Sequence, residues 1–160
     1  MATVGNSTLG MKVYYSVETT AGTRPTAQSA YTEIVGIKEI PGIGEEASAI
    51  DVTPLAETDF RQYVAGLKDS GGTINFTANN TNEFQTAWTT LVSAFTTGKA
   101  SGKNTWFCIV HPYLNNAFYF TGEPVALGLS GASVNEALNL GANVIAGKVE
   151  GWAAKPTSAS

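Results

Sequence analysis

The sequence predicts a mainly β protein in which two packed sheets form a sandwich or small barrel, with one α-helix on its flank. Three observations lead there. Stretches that alternate apolar and polar residues lie on both sides of a single stretch with helical periodicity. Glycine (17 residues), threonine, serine and asparagine are abundant and aromatics reach 10%, the composition of a turn-rich β chain. Charged residues are only 14%, well under the usual quarter, so the surface is unusually neutral and suited to wide interfaces. At 160 residues the default is one compact domain.

Residues 1–10 are small and polar and read as an N-terminal arm, residues 11–154 as the β-sandwich domain, and residues 155–160 as a flexible C-terminal tail. The first strand is Lys12 to Glu18, where Val13, Tyr15 and Val17 alternate with polar neighbours. A second strand runs from Tyr31 to Ile40 and ends at Pro41-Gly42, because proline cannot donate to a ladder. Ile74, Phe76 and Ala78 then alternate with Thr73, Asn75 and Thr77, giving a strand with one wet face. Phe84, Trp88, Leu91, Val92 and Phe95 fall at i, i+4, i+7, i+8 and i+11, the apolar stripe of a helix over about 82–97. Asn80 to Glu83 reads as a capping box variant and Gly98 as the C-cap glycine. Thr105 to His111 is apolar on both faces and so should be a central strand. Ala117 to Thr121, Val125 to Leu129 and Ala142 to Trp152 supply the last strands, with glycines that mark bulges or curvature.

The segment from Ile40 to Gly72 stands apart. It reads as a long loop (about 41–72), and loops beyond about 15 residues are uncommon in compact domains unless they are functional or disordered. Ile43, Ile50, Val52, Leu55, Phe60, Tyr63, Val64 and Leu67 make it too apolar for a disordered tract. Either its own domain or a neighbouring subunit should bury it.

Catalytic chemistry finds little support. His111 is the only histidine and closes an apolar strand before Pro112, with no nucleophile motif beside it. One cysteine, Cys108, and one histidine cannot build a structural zinc site, and no calcium loop is present, so no metal or cofactor is expected. Glu45-Glu46 and Glu57 with Asp59 admit a two-carboxylate mechanism in principle, but carboxylates in a polar loop are ordinarily solvated charge. A net charge of −4, with basic residues spread singly, gives no stripe for gripping phosphates. No stretch is long and apolar enough for a membrane anchor, and the N-terminus lacks the pattern of an export signal.

Ile50-Asp51-Val52-Thr53, then Leu55, then Arg61-Gln62-Tyr63-Val64-Ala65-Gly66-Leu67-Lys68-Asp69-Ser70-Gly71, resembles the central motif of major tail tube proteins of long, non-contractile-tailed bacteriophages. Ile40-Pro41-Gly42 and Val144-Ile145-Ala146-Gly147-Lys148 are similar to that family too, as is the order of arm, strands, long loop, strand, helix and strands. The resemblance implies a non-enzymatic subunit of a hexameric ring. Rings would stack into a hollow tube in the virion tail, through which DNA passes without specific binding. It implies synthesis in the bacterial cytoplasm and contacts with tape measure, tail tip and terminator proteins. It also implies that the long loop bridges subunits, which puts Ile40, Pro41, Ile50, Asp51, Thr53, Leu55, Arg61, Tyr63, Leu67 and Asp69 at the contact. Glu33, Glu39, Glu136 and Glu150, in or beside expected strands, are the candidate acidic residues of the lumen. Two rival readings keep a β-sandwich: a tube protein of a contractile tail or type VI secretion needle, and a carbohydrate-binding module using Tyr113 or Trp152.

Overall fold

The computed structural model describes residues 5, 7, 10–44, 46–69, 72–129, 131 and 133–157, with backbone alone at 46–48 and 68–69. Nine strands and one α-helix are found among them: β1 (Lys12–Val17), β2 (Thr32–Glu33), β3 (Ile37–Glu39), β4 (Glu46–Asp51), β5 (Tyr63–Asp69), β6 (Thr73–Asn79), α1 (Asn82–Ala100), β7 (Thr105–Val110), β8 (Asn116–Pro124) and β9 (Asn139–Ala154). Seven of them form one antiparallel sheet in the order β2-β1-β7-β8-β9-β6-β3, and β4 and β5 form a separate two-stranded sheet.

The larger sheet folds over on itself along β9. The first part of that strand pairs with β6 and the remainder with β8, so one chain segment belongs to both layers. Val13 and Tyr15 of β1, Phe107 and Ile109 of β7 and Phe120 of β8 meet Ile74 and Phe76 of β6 and Leu140, Ala142 and Val144 of β9 in one core. The two layers of the expected sandwich are thus two halves of a single curled sheet. Two bulges of β9 in its ladder with β8 supply the curvature. At one of them Glu150 is the extra residue and Gly151 takes φ +89°, a left-handed conformation that glycine adopts freely.

α1 closes one end of the core. Thr81 caps it by accepting the Phe84 amide on its side-chain oxygen, and Phe84, Trp88 and Leu91 are fully buried, as the helical spacing requires. The Trp88 indole donates to the Val125 carbonyl at 2.8 Å. Gly98 does not end the helix, which continues to Ala100. It is instead a packing position, where a Cβ would lie 2.6 Å from Val17 Cγ1.

β7 is central and buried on both faces. Its second face carries Trp106 and Cys108, which pack with Tyr31, Ala117 and Tyr119 in a smaller cluster. Glu18 accepts the Trp106 indole at 2.8 Å and the amides of Asn104 and Gly22 at 2.8 and 2.9 Å. Burial alone would raise its pKa, but those donors together hold it below the usual value.

Several expectations change. The strand expected over 31–40 is two short strands at opposite edges of the sheet, because Gly36 turns at φ +89° between them. The Ile34 amide donates to Val13 of β1 and the Asn79 amide, from β6, to Gly36, so the two edges come within three residues of each other. Residues Val125 to Leu129 are not a strand; Val125 bonds Asn143 and Leu127 packs on the core. Most of the expected long loop is the β4-β5 hairpin. In the segment read as a free tail, Thr157 bridges Ala27 and exchanges backbone bonds with Thr26 and Gln28 at 2.8 Å, while 158–160 lie outside the described residues.

Candidate assembly surface

The hairpin is built from a register of Asp51 opposite Tyr63, Ile50 opposite Val64 and Ala49 opposite Ala65, with a bulge between Ala47 and Ala49. Its substantial packing is of β4 on β5 and not on the barrel. Its tip is nevertheless well defined. Thr53 donates through its amide and its hydroxyl to Asp51 Oδ1 at 2.9 and 2.6 Å, and its hydroxyl oxygen receives the Gln62 amide at 2.7 Å. The Val52 amide donates to the Gln62 carbonyl at 2.9 Å. Farther out, Glu57 Oε1 accepts the amides of Thr58 and Asp59 at 3.0 Å each, and Glu57 Oε2 accepts the Gln62 side-chain amide at 3.3 Å. The Thr53 hydroxyl holds the Asp51 carboxyl below its ordinary pKa, and the Asp59 and Thr58 amides do the same for Glu57.

On this shaped tip the apolar side chains are uncovered. Leu55 is fully exposed, Leu67 is 90% and Phe60 81% exposed, and Ile50, Val52, Tyr63 and Val64 are each about half exposed. Ile40 and Ile43, at the root, pack instead against the barrel core, and Pro41 is half-buried beside them. The segment is therefore buried at home at its root and bare at its apolar side chains from Ile50 to Leu67. Arg61 is exposed, and Asp69 pairs with Glu46 at the backbone.

The acidic candidates lie on four different segments, three strands and a loop. Glu33 is half-buried on β2 and Glu39 exposed on β3, both on the rim of a groove. Glu136 is exposed in the loop before β9 and accepts the Ser133 hydroxyl at 2.9 Å. Glu150 pairs with Arg24 at 2.9 Å, and the same guanidinium lies 4.0 Å above the Tyr119 ring. The glycines of the last strand mark its bulges in the sequence, and Gly151 stands beside the one at Glu150, but nothing in the sequence shows that Glu150 is the extra residue. Nor does the sequence show the buried role of Glu18, which looks like the polar end of an alternating strand.

The net charge has a location. Residues 45–69 hold six of the 13 acids and two of the nine bases, the whole of the net −4, so the rest of the chain carries seven of each sign. Among the described residues no three His, Cys, Asp or Glu side chains approach closely enough to hold a metal ion. His111 is structural in its contacts: its Nε2 lies 2.6 Å from the Ser7 carbonyl and its Nδ1 accepts the Tyr113 amide at 3.1 Å. Cys108 is buried, which pushes its thiol up to about 11. Trp152 is half exposed and meets Phe118 edge-on, and Tyr113 tilts against His111. No helix among the described residues is long and apolar enough to cross a membrane.

Residues 5–107 match the model of the lambda-like phage tail tube family. The chain belongs to that family. It is a structural subunit of the phage tail tube. No curated protein matches it by sequence. Among solved structures, a chain of the anti-feeding prophage baseplate, from a six-fold symmetrised cryo-EM structure, superposes with a TM-score of 0.58 at 11% identity, covering 94% of this chain and 96% of that one. A chain from the tail of an empty GTA particle, determined with helical refinement and C6 symmetry, gives 0.57 at 14% identity, covering 93% and 100%. At such identities these likenesses concern the fold, and the family match carries the function.

Proposed function

We propose that this tail tube subunit forms six-membered rings that stack into the conduit for DNA, that it has no enzymatic activity, and that the β4-β5 hairpin makes the contact between subunits. One observation carries the proposal: a hairpin with a hydrogen-bonded tip displays Leu55, Phe60 and Leu67 to solvent, an apolar surface that a monomeric protein has no reason to keep. Asp51 and Thr53 shape the tip, and Ile50, Leu55, Arg61, Tyr63 and Leu67 meet the neighbour. Ile40 anchors the root of the hairpin to its own barrel with Pro41 beside it, and the backbone of Asp69 closes the hairpin against Glu46. The six-fold symmetry of both related assemblies supports the ring.

In the virion tail such a tube would end against tape measure, tail tip and terminator proteins, after synthesis in the host cytoplasm. DNA would pass without being held. The barrel's balanced charge gives phosphates no basic stripe, and Glu136, exposed before β9, would meet them with negative charge. Electron microscopy of the purified protein at high concentration tests the proposal. Rings or tubes are expected, and strictly single particles under all conditions would refute it.

A further inference from the structure

The curled sheet does not close, and its seam is a groove of about 950 Å3 lined by residues 10–13 and 33–42. The unpaired side of β3 lies along it, as does the start of β1, which β2 covers only at Tyr14 and Tyr15. Met11, Val13, Ile34, Ile37 and Ile40 supply apolar lining, and Val35 is 40% exposed at the rim. Lys12 and Lys38, exposed on the same rim, form no ion pair among the described residues, and Glu33 and Glu39 stand near them.

We infer that this seam receives the hairpin tip of a second copy of the chain, with Leu55 and Phe60 on its apolar lining and Asp59 and Arg61 against the lysines and glutamates of its rim. The inference rests on the proposed role of the hairpin and names the surface that role requires. Three arguments support it. The chain's own tip cannot serve, because the hairpin is rooted at the groove through Ile40 to Gly42 and six strand residues carry the tip about 20 Å away. Both partners carry mixed charge, acid and base side by side, so the match fixes orientation without demanding a strongly basic receptor. Hairpin and seam are different surfaces of one chain, so their union is head-to-tail, and a contact of that type propagates into rings or stacks rather than stopping at a dimer.

The test uses the full chain with Leu55→Cys and Val35→Cys combined, assembled and treated with a short bis-maleimide. Cys108 is buried and does not compete. A ladder extending beyond dimer on a denaturing gel is expected, with neither single variant giving one. Tubes visible by microscopy but no ladder would overturn the seam while leaving the tube reading intact. Absence of tubes from the unmodified chain would overturn both. Val35→Trp, which fills the seam from an exposed position, should keep the melting transition and lose assembly at least tenfold. Assembly of that variant at the unmodified rate would also overturn the inference.

Discussion

Thr53 donates its hydroxyl to Asp51 at 2.6 Å while the same oxygen receives the Gln62 amide, so two residues fasten both strands at the neck of the hairpin tip. The contact is fully solvent-exposed, and its consequence is shape rather than global stability. Asp51→Ala should leave the melting transition unmoved and slow assembly, because the tip must then be ordered during docking. Hydrogen exchange at the Gln62 amide should rise in the variant. An unchanged exchange rate would show that the backbone alone holds the tip.

The same geometry sets a pH dependence. The folded-state pKa values of Asp51 and Glu57 are depressed, so their contribution to tip order is complete above the ordinary carboxylate range and is lost as pH falls through the lowered values. Amide chemical shifts of Thr53, Thr58 and Asp59 should therefore hold constant from neutrality to about pH 5 and move together only in stronger acid. Movement above pH 5 would contradict this assignment.

Glu18 offers a test of the barrel itself. In Glu18→Gln the retained carbonyl can still accept Gly22 and Asn104, but an amide donor then faces the buried Trp106 indole donor. Leaving that indole unsatisfied should cost about 1–3 kcal/mol, read by thermal unfolding and by a shift in Trp106 fluorescence.

Gly98→Ala sets two effects against each other. Helix propensity favours alanine by about 1 kcal/mol. The added methyl meets Val17 Cγ1 at 2.6 Å, and a β-branched side chain in a strand cannot easily turn away, so overpacking of about 1–3 kcal/mol should win. A raised melting temperature would mean that β1 yields at this point.

Replacing Leu55 and Phe60 together by serine should preserve folding, since neither packs on the core, and abolish tubes. Circular dichroism paired with microscopy separates the two outcomes. Loss of the folded spectrum would place the tip in the monomer's own core.

What could be read in advance follows from burial. α1, β6 and β7 were legible because each buries a face or both faces, and burial sorts side chains by period. The hairpin was not, because a ribbon exposed on both sides imposes no alternation, and the 11 residues from Val52 to Gln62 exceed an ordinary hairpin turn. The bare apolar character of that segment was legible all the same, and it marked the candidate surface without revealing its shape. The glycines of β9 marked its bulges in advance, whereas the split at Gly36 depends on how the sheet curls, a property of pairings far apart in sequence.

The concentration of the net negative charge on the hairpin also governs the subunit before it finds its neighbours. Freshly made copies approach one another with their stickiest side chains carried on their most repulsive segment, so encounters are discouraged until several contacts form at once. Polymerisation should then show a lag that added salt shortens, and growth from an existing end should outrun spontaneous initiation. A tube whose length must be set elsewhere benefits from building blocks that are reluctant to start alone.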